Sequence, residues 1–125
     1  MKISHQFVEL IPETLDQRVV YISIKYRTAS HLCMCGCGNK VVTPIRPERW
    51  QLSYDGQSVS LFPSIGNWGL PCQSHYWIEK DTVKWSYKMS DSEIRRVKAR
   101  QAQRVHDYYD TKELKHRFKW LKKQH

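Results

Sequence analysis

No apolar run in this 125-residue chain approaches the roughly 20 residues that a membrane-spanning helix requires, so a helical membrane protein is excluded. The start, Met1-Lys2-Ile3-Ser4-His5, lacks the apolar stretch and small-residue cleavage site of a secretory signal, and the chain is read as cytosolic, with no membrane partner. Internal repeats and low-complexity segments are missing too, which excludes repeat architectures. Acidic residues are scarce: 12 Asp and Glu stand against 21 Lys and Arg, a net charge of +9. The imbalance is uneven. Residues 1–90 carry 10 Lys/Arg against 7 Asp/Glu, and residues 91–125 carry 11 against 5. The basic surplus therefore belongs mainly to the C-terminal segment.

What is present suffices for one small core, with 40% hydrophobic and 12% aromatic residues, in a chain of single-domain length. Trp50, Trp68, Trp77 and Trp85 place the expected core between positions 50 and 85. Strand-like patterns occupy residues 3–10 and 18–26, with β-branched and aromatic types concentrated at Val19-Val20-Tyr21-Ile22. A short strand is expected at 40–43. Trp50 to Tyr54 alternates with period two, and Asp55-Gly56 signals a hairpin returning through Ser58 to Leu61. Pro63 to Pro71 reads as a loop, and residues 75–79 and 82–86 as a final hairpin turning at Lys80-Asp81. Ser90-Asp91-Ser92-Glu93 has the form of a capping box. It predicts a helix of about 20 residues, a break near Thr111, and a second basic stretch from Leu114 to Lys123. The fold class is thus α+β: a small, mostly antiparallel β domain over residues 1–89 and a basic helical extension over 90–125.

Cys33, Cys35, Cys37 and Cys72 are the only cysteines, three of them within five residues. In a reducing compartment such clusters are metal ligands more often than disulfides. Bridges inside Cys33-Met34-Cys35-Gly36-Cys37 would also strain the Cα spacing of about 4.4–6.8 Å that a disulfide requires. Gly36 and Gly38 permit the sharp curl needed to bring three thiolates to one ion. The expectation is one structural Zn2+ held by all four cysteines. Buried free thiols, or a set in which His75 replaces one cysteine, are the alternatives. A closed four-thiolate site has no open position for substrate or water.

The stretch Leu61-Phe62-Pro63-Ser64-Ile65-Gly66-Asn67-Trp68 is followed by Pro71-Cys72-Gln73-Ser74-His75-Tyr76-Trp77. Ser64 is expected at a strand end in a glycine-containing turn, and His75 follows Cys72 by three residues, so a metal there would fix it. A serine becomes a nucleophile when an adjacent base takes its proton, and His75 is the candidate base. Backbone N–H groups around Gly66 and Asn67, with the Asn67 side-chain amide, are candidate oxyanion donors. Asp55, Glu79 and Asp81 are equal candidates for the acid orienting His75. Ser74 is a weaker nucleophile candidate because neighbouring strand residues face opposite sides. The plain alternative is a turn whose serine hydroxyl bonds its own backbone and a histidine that only braces a metal ligand.

Cys33-Met34-Cys35-Gly36-Cys37-Gly38-Asn39-Lys40, Pro63-Ser64-Ile65-Gly66-Asn67-Trp68, Cys72 and Ser74-His75-Tyr76-Trp77 together resemble a small bacterial domain family long described as of unknown function. The resemblance covers roughly residues 1–87. Members of that family look like companions of bacterial ubiquitin-like conjugation systems, beside E1-like, E2-like and ubiquitin-like proteins. The resemblance implies a peptidase that matures the ubiquitin-like protein or removes it from targets, with Ser64 and His75 as the working pair. Absence of H-x-H and H-E-x-x-H patterns makes a zinc metallopeptidase the second choice. The rival reading is a zinc-stabilised basic module. Arg95, Arg96, Lys98, Arg100 and Arg104 on the helix, followed by Lys112, Lys115, Arg117, Lys119, Lys122 and Lys123, would contact nucleic acid phosphates or an acidic protein.

Overall fold

The computed structural model describes residues 1–86 and 90–123, with side chains described through Lys112. Two compact units divide the chain, Met1–Lys88 and Met89–His125. The first holds eight strands in two four-stranded sheets. One sheet runs β1 (Ser4–Phe7), β2 (Val19–Ser23), β3 (Thr28–Leu32), β4 (Lys40–Pro44) in spatial order, and the other β5 (Gln51–Tyr54), β6 (Val59–Gly66), β7 (His75–Glu79), β8 (Thr82–Trp85). Among the ladders between described strands, β1 and β2 pair in parallel and the rest are antiparallel.

Burial alternates along β4 and β7 as the period-two pattern requires, whereas β2 and β3 are buried almost throughout. Val20 and Ile22 from β2, Ala29 from β3, Val41 from β4, Val59, Leu61 and Ile65 from β6, and Tyr76, Ile78 and Val83 from the last hairpin pack together. The tryptophans, expected at the centre, line its margins instead. Trp50 packs against the cluster from a partly buried position, while Trp77 is 38% and Trp85 49% exposed. β-Branched residues and Tyr76 fill the narrow space between the sheets, and the wider indoles are left to the rim and the outer face.

Two local expectations are corrected. Residues 28–32 form a strand that the polar run Thr28-Ala29-Ser30-His31 had hidden. His31 is fully buried there, its Nε2 2.7 Å from the Tyr76 hydroxyl. The segment from Pro63 to Gly66, read as loop, belongs to β6. Leu61 pairs with Ile78 and Ile65 with Tyr76. Four residues on β6 thus span two on β7, a bulge containing the cis Phe62–Pro63 peptide. Proline has no N–H to give to a ladder and is accommodated at bulges.

The hairpin signal at Asp55-Gly56 is realised, with Gly56 at φ 93°. Asp55 Oδ1 accepts from the backbone N–H groups of Gln57 and Ser58, which holds its carboxyl down to about 2.

In the second unit the capping box forms. Glu93 N–H donates to Ser90 Oγ at 3.3 Å, and Ser90 N–H donates back to Glu93 Oε1 at 3.4 Å. The helix that follows, α1, runs from Asp91 to Lys123 without the break expected near Thr111. The Leu114, Phe118 and Leu121 face and the charges from Lys115 to Lys123 lie outside the described side chains. Among the described residues, no helix is long and apolar enough to cross a membrane.

Candidate active site and metal centre

The bulge in β6 determines where Ser64 points. Bulges re-aim side chains and raise local twist. Gly66 pairs with His75 across the β6–β7 ladder. Ile65 and Tyr76 turn inward to the core, at 1% and 0% exposure, and Ser64, Gly66, His75 and Trp77 take the other face. There His75 Nε2 lies 2.8 Å from Ser64 Oγ. The two residues, 11 apart in sequence, meet in the geometry a serine and its base require.

The imidazole is held by two indoles. Trp68 lies with its ring centroid 5.3 Å from that of His75, and Trp77 lies at 5.3 Å too, tilted by 34°. Trp77 reaches the histidine because residues two apart on a strand share a face. Trp68 reaches it because Gly66 has no side chain: a Cβ there would stand 2.3 Å from the Trp68 ring. The glycine is required for space and not for a left-handed backbone. Burial of the imidazole among these rings lowers the His75 pKa below its ordinary 6.5. Sequence reasoning missed this clamp. Its signal was the two indoles flanking glycine and histidine in Gly66-Asn67-Trp68 and His75-Tyr76-Trp77.

None of the three candidate acids orients His75. Asp55 is spent in the hairpin turn, Glu79 pairs with Lys84 at 2.9 Å, and Asp81 receives His5 Nδ1 at 2.7 Å and the Val59 N–H at 2.8 Å. Among the described residues, the buried His75 Nδ1 has no hydrogen-bond partner.

Asn67 faces away from the pair. Its side-chain nitrogen donates to Ser74 Oγ at 3.0 Å and to the Tyr76 hydroxyl at 3.3 Å, and lies 3.6 Å from Cys33 Sγ. Its backbone N–H donates to Ser74 O at 2.8 Å. Both donors expected at an oxyanion are engaged with the neighbouring turn.

That turn leads to the thiols. The sulfurs of Cys33, Cys35, Cys37 and Cys72 all lie within 4.8 Å of one another. A tetrahedral ion with thiolates at about 2.3 Å separates its sulfurs by about 3.8 Å. Cys33 and Cys72 stand 3.7 Å apart, and Cys37 and Cys72 3.9 Å, so the donor set fits such an ion. Gly36 and Gly38 adopt φ of 88° and 83°, the left-handed backbone that the curl requires. Asn39 hydrogen-bonds Cys37 through its backbone and its side-chain amide, which holds that thiol down to about 6. Desolvation and hydrogen bonds to its sulfur neighbours push Cys35 up to about 12. The close set consists of the four sulfurs, and His75, bonded through Nε2 to Ser64, is not among its members.

Ser74 joins the two centres. Its hydroxyl lies 3.0 Å from Cys33 Sγ and 3.5 Å from Cys72 Sγ while accepting from Asn67. As strand alternation predicts, it faces away from its neighbour His75. Its role is to tie the sulfur cluster to the turn that carries the histidine.

Among curated proteins and among solved structures, none matches the chain. A serine within hydrogen-bond distance of a clamped histidine is consistent with what a comparison of families finds: residues 7–86 match the family described as bacterial ubiquitination-like system serine protease (BubE), and the chain belongs to that family.

Proposed function

We propose that Ser64 is the nucleophile and His75 the general base of a peptidase that matures a ubiquitin-like protein or removes it from its conjugates. The observation that carries this reading is the 2.8 Å contact between His75 Nε2 and Ser64 Oγ on the outer face of β6 and β7. In the first step Ser64 Oγ attacks the scissile carbonyl and its proton passes to His75 Nε2. The imidazolium then protonates the leaving amine, leaving an acyl group on Ser64. Water, deprotonated by the same nitrogen, releases it and regenerates the serine. The pair works as a dyad. The flanking indoles take over the orienting task that a carboxylate has in a triad.

Asn67 is a positioning residue in this scheme, holding Ser74 and Tyr76. Of the backbone donors considered, the Gly66 N–H is the one not drawn to Ser74, and it is the candidate oxyanion donor. The four cysteines would hold Zn2+, which would supply folding energy and fix Ser74, and through it His75. With four thiolates the ion has no open position, so hydrolysis is assigned to the serine.

Ser64→Ala and His75→Ala are to be assayed for cleavage of a ubiquitin-like fusion, with metal content and folding measured in parallel. Loss of cleavage by about 10³-fold or more in each, with metal retained, is the expected result. Cleavage at the parental rate by folded Ser64→Ala overturns the assignment.

A further inference from the structure

An open cleft of about 380 Å³ lies between β4 and the end of β6, where Ile65, Gly66 and Asn67 line it. This lies within the roughly 300–1,000 Å³ typical of binding clefts. Its walls are backbone as much as side chain. On one side is β4, the outer strand of its sheet. Ile45 N–H donates to Arg27 O on the β3 side, whereas Pro44 O accepts from Trp50 N–H on the other side. Backbone groups alternate in direction along a strand, so the N–H and C=O of Val42 also point away from β3, into the cleft. Val42 is 51% exposed.

On the other side is β6 beyond the reach of β5, whose last pair is Gln51 with Phe62. Asn67 N–H is directed to Ser74. The adjacent N–H and C=O of Gly66 therefore point away from β7, towards the same cleft. Among the described residues, no backbone hydrogen bond crosses between the two walls. Trp50 lines the cleft, and among the described residues its buried Nε1–H has no acceptor.

Resting on the assignment of Ser64 as nucleophile, we propose that this cleft receives the substrate segment beside the scissile bond as an extended strand, bonded to Val42 on one edge and to the Gly66 C=O on the other, with the Gly66 N–H left to the oxyanion. Unpaired strand edges recognise extended peptides through main-chain hydrogen bonds. Both edges border this one cleft, so one inserted strand would bond to both. Gly66 is opposite His75 and two residues from Ser64, so a strand seated on it delivers its carbonyl towards the nucleophile. The recognised substrate is an unstructured, extended tail.

The test uses Val42→Pro, which removes the N–H while keeping an extended backbone at an edge position, with Val42→Thr as the shape-matched control. Two substrates are compared: a ubiquitin-like fusion and p-nitrophenyl acetate, which needs only the nucleophile. Val42→Pro should raise KM for the fusion about tenfold and leave ester hydrolysis within about twofold. Val42→Thr should match the parent on both. If Val42→Pro does not fold, Val42→Trp, blocking the cleft from its exposed side, should reproduce the KM effect. Unchanged KM in the folded cleft variants overturns the proposal. Failure of the nucleophile assignment would look different: Ser64→Ala would retain both activities.

Discussion

Gly66→Ala perturbs the clamp on His75 without touching either member of the pair. The added Cβ would stand 2.3 to 2.5 Å from three atoms of the Trp68 ring, against about 3.5–4.0 Å for ordinary carbon contacts. The ring must therefore retreat by about 1 Å, and the face it presents to His75 at a centroid distance of 5.3 Å is lost. Overpacking of this kind destabilises by about 1–3 kcal/mol. Displacement of a catalytic group by about 1 Å costs up to about 10²-fold in rate. A fall of roughly 10- to 100-fold in kcat/KM is expected, with folding weakened within that range. The decisive measurement is a double-mutant cycle. In a Trp68→Ala background the alanine at 66 has nothing to strike, so adding it should change stability and activity by less than about 0.5 kcal/mol. Cleavage rates and denaturant unfolding of the four proteins supply the cycle. Additivity of the two substitutions, or parental activity in Gly66→Ala, refutes the reasoning.

Acid should silence the enzyme later than it would with an exposed histidine. His75 accepts a proton only when neutral, and burial lowers its pKa from 6.5, so the acidic limb of kcat/KM should have its midpoint below 6.5; a midpoint above that value contradicts the dyad. Buried His31 is held down to about 4, so the folded state refuses a proton that the unfolded chain accepts below 6.5. Its stabilising contribution is complete above pH 6.5 and is lost at about 1.4 kcal/mol per pH unit as the pH falls towards 4. Denaturant unfolding of His31→Leu should show a shallower slope over pH 5–6.5, and equal slopes count against this account. Cys72→Ala removes one of the four thiols near 3.8 Å spacing. Bound zinc should fall from about one equivalent towards zero and Tm by more than about 10 °C; full metal content by elemental analysis rules out the four-cysteine set.

Much of the molecule was legible because its cause is local. The capping box at Ser90 and Glu93 and the hairpin at Asp55-Gly56 each need only a few adjacent residues, and both form as their spacing requires. The cysteine set was readable for a related reason: three thiols in five residues with interleaved glycines have few chemical uses. Strand β3 was not legible, since the burial of His31 depends on a hydroxyl 45 positions away. The long helix was misjudged at Thr111, where a weak helix former is carried by the turns on either side.

The sequence alone determined which side chains could do chemistry: one serine in a Pro-Ser-x-Gly setting, one histidine shortly after a cysteine, and four sulfurs. Only the tertiary structure decided how they face. A two-residue bulge brings Ser64 onto His75. Gly66 vacates the space that Trp68 fills, Asn67 turns to the sulfur side, and strands from different sheets line one cleft. Each of these depends on the register between segments distant in the chain. Residue type and spacing along one strand set its alternation, but not the partner against which that alternation is read.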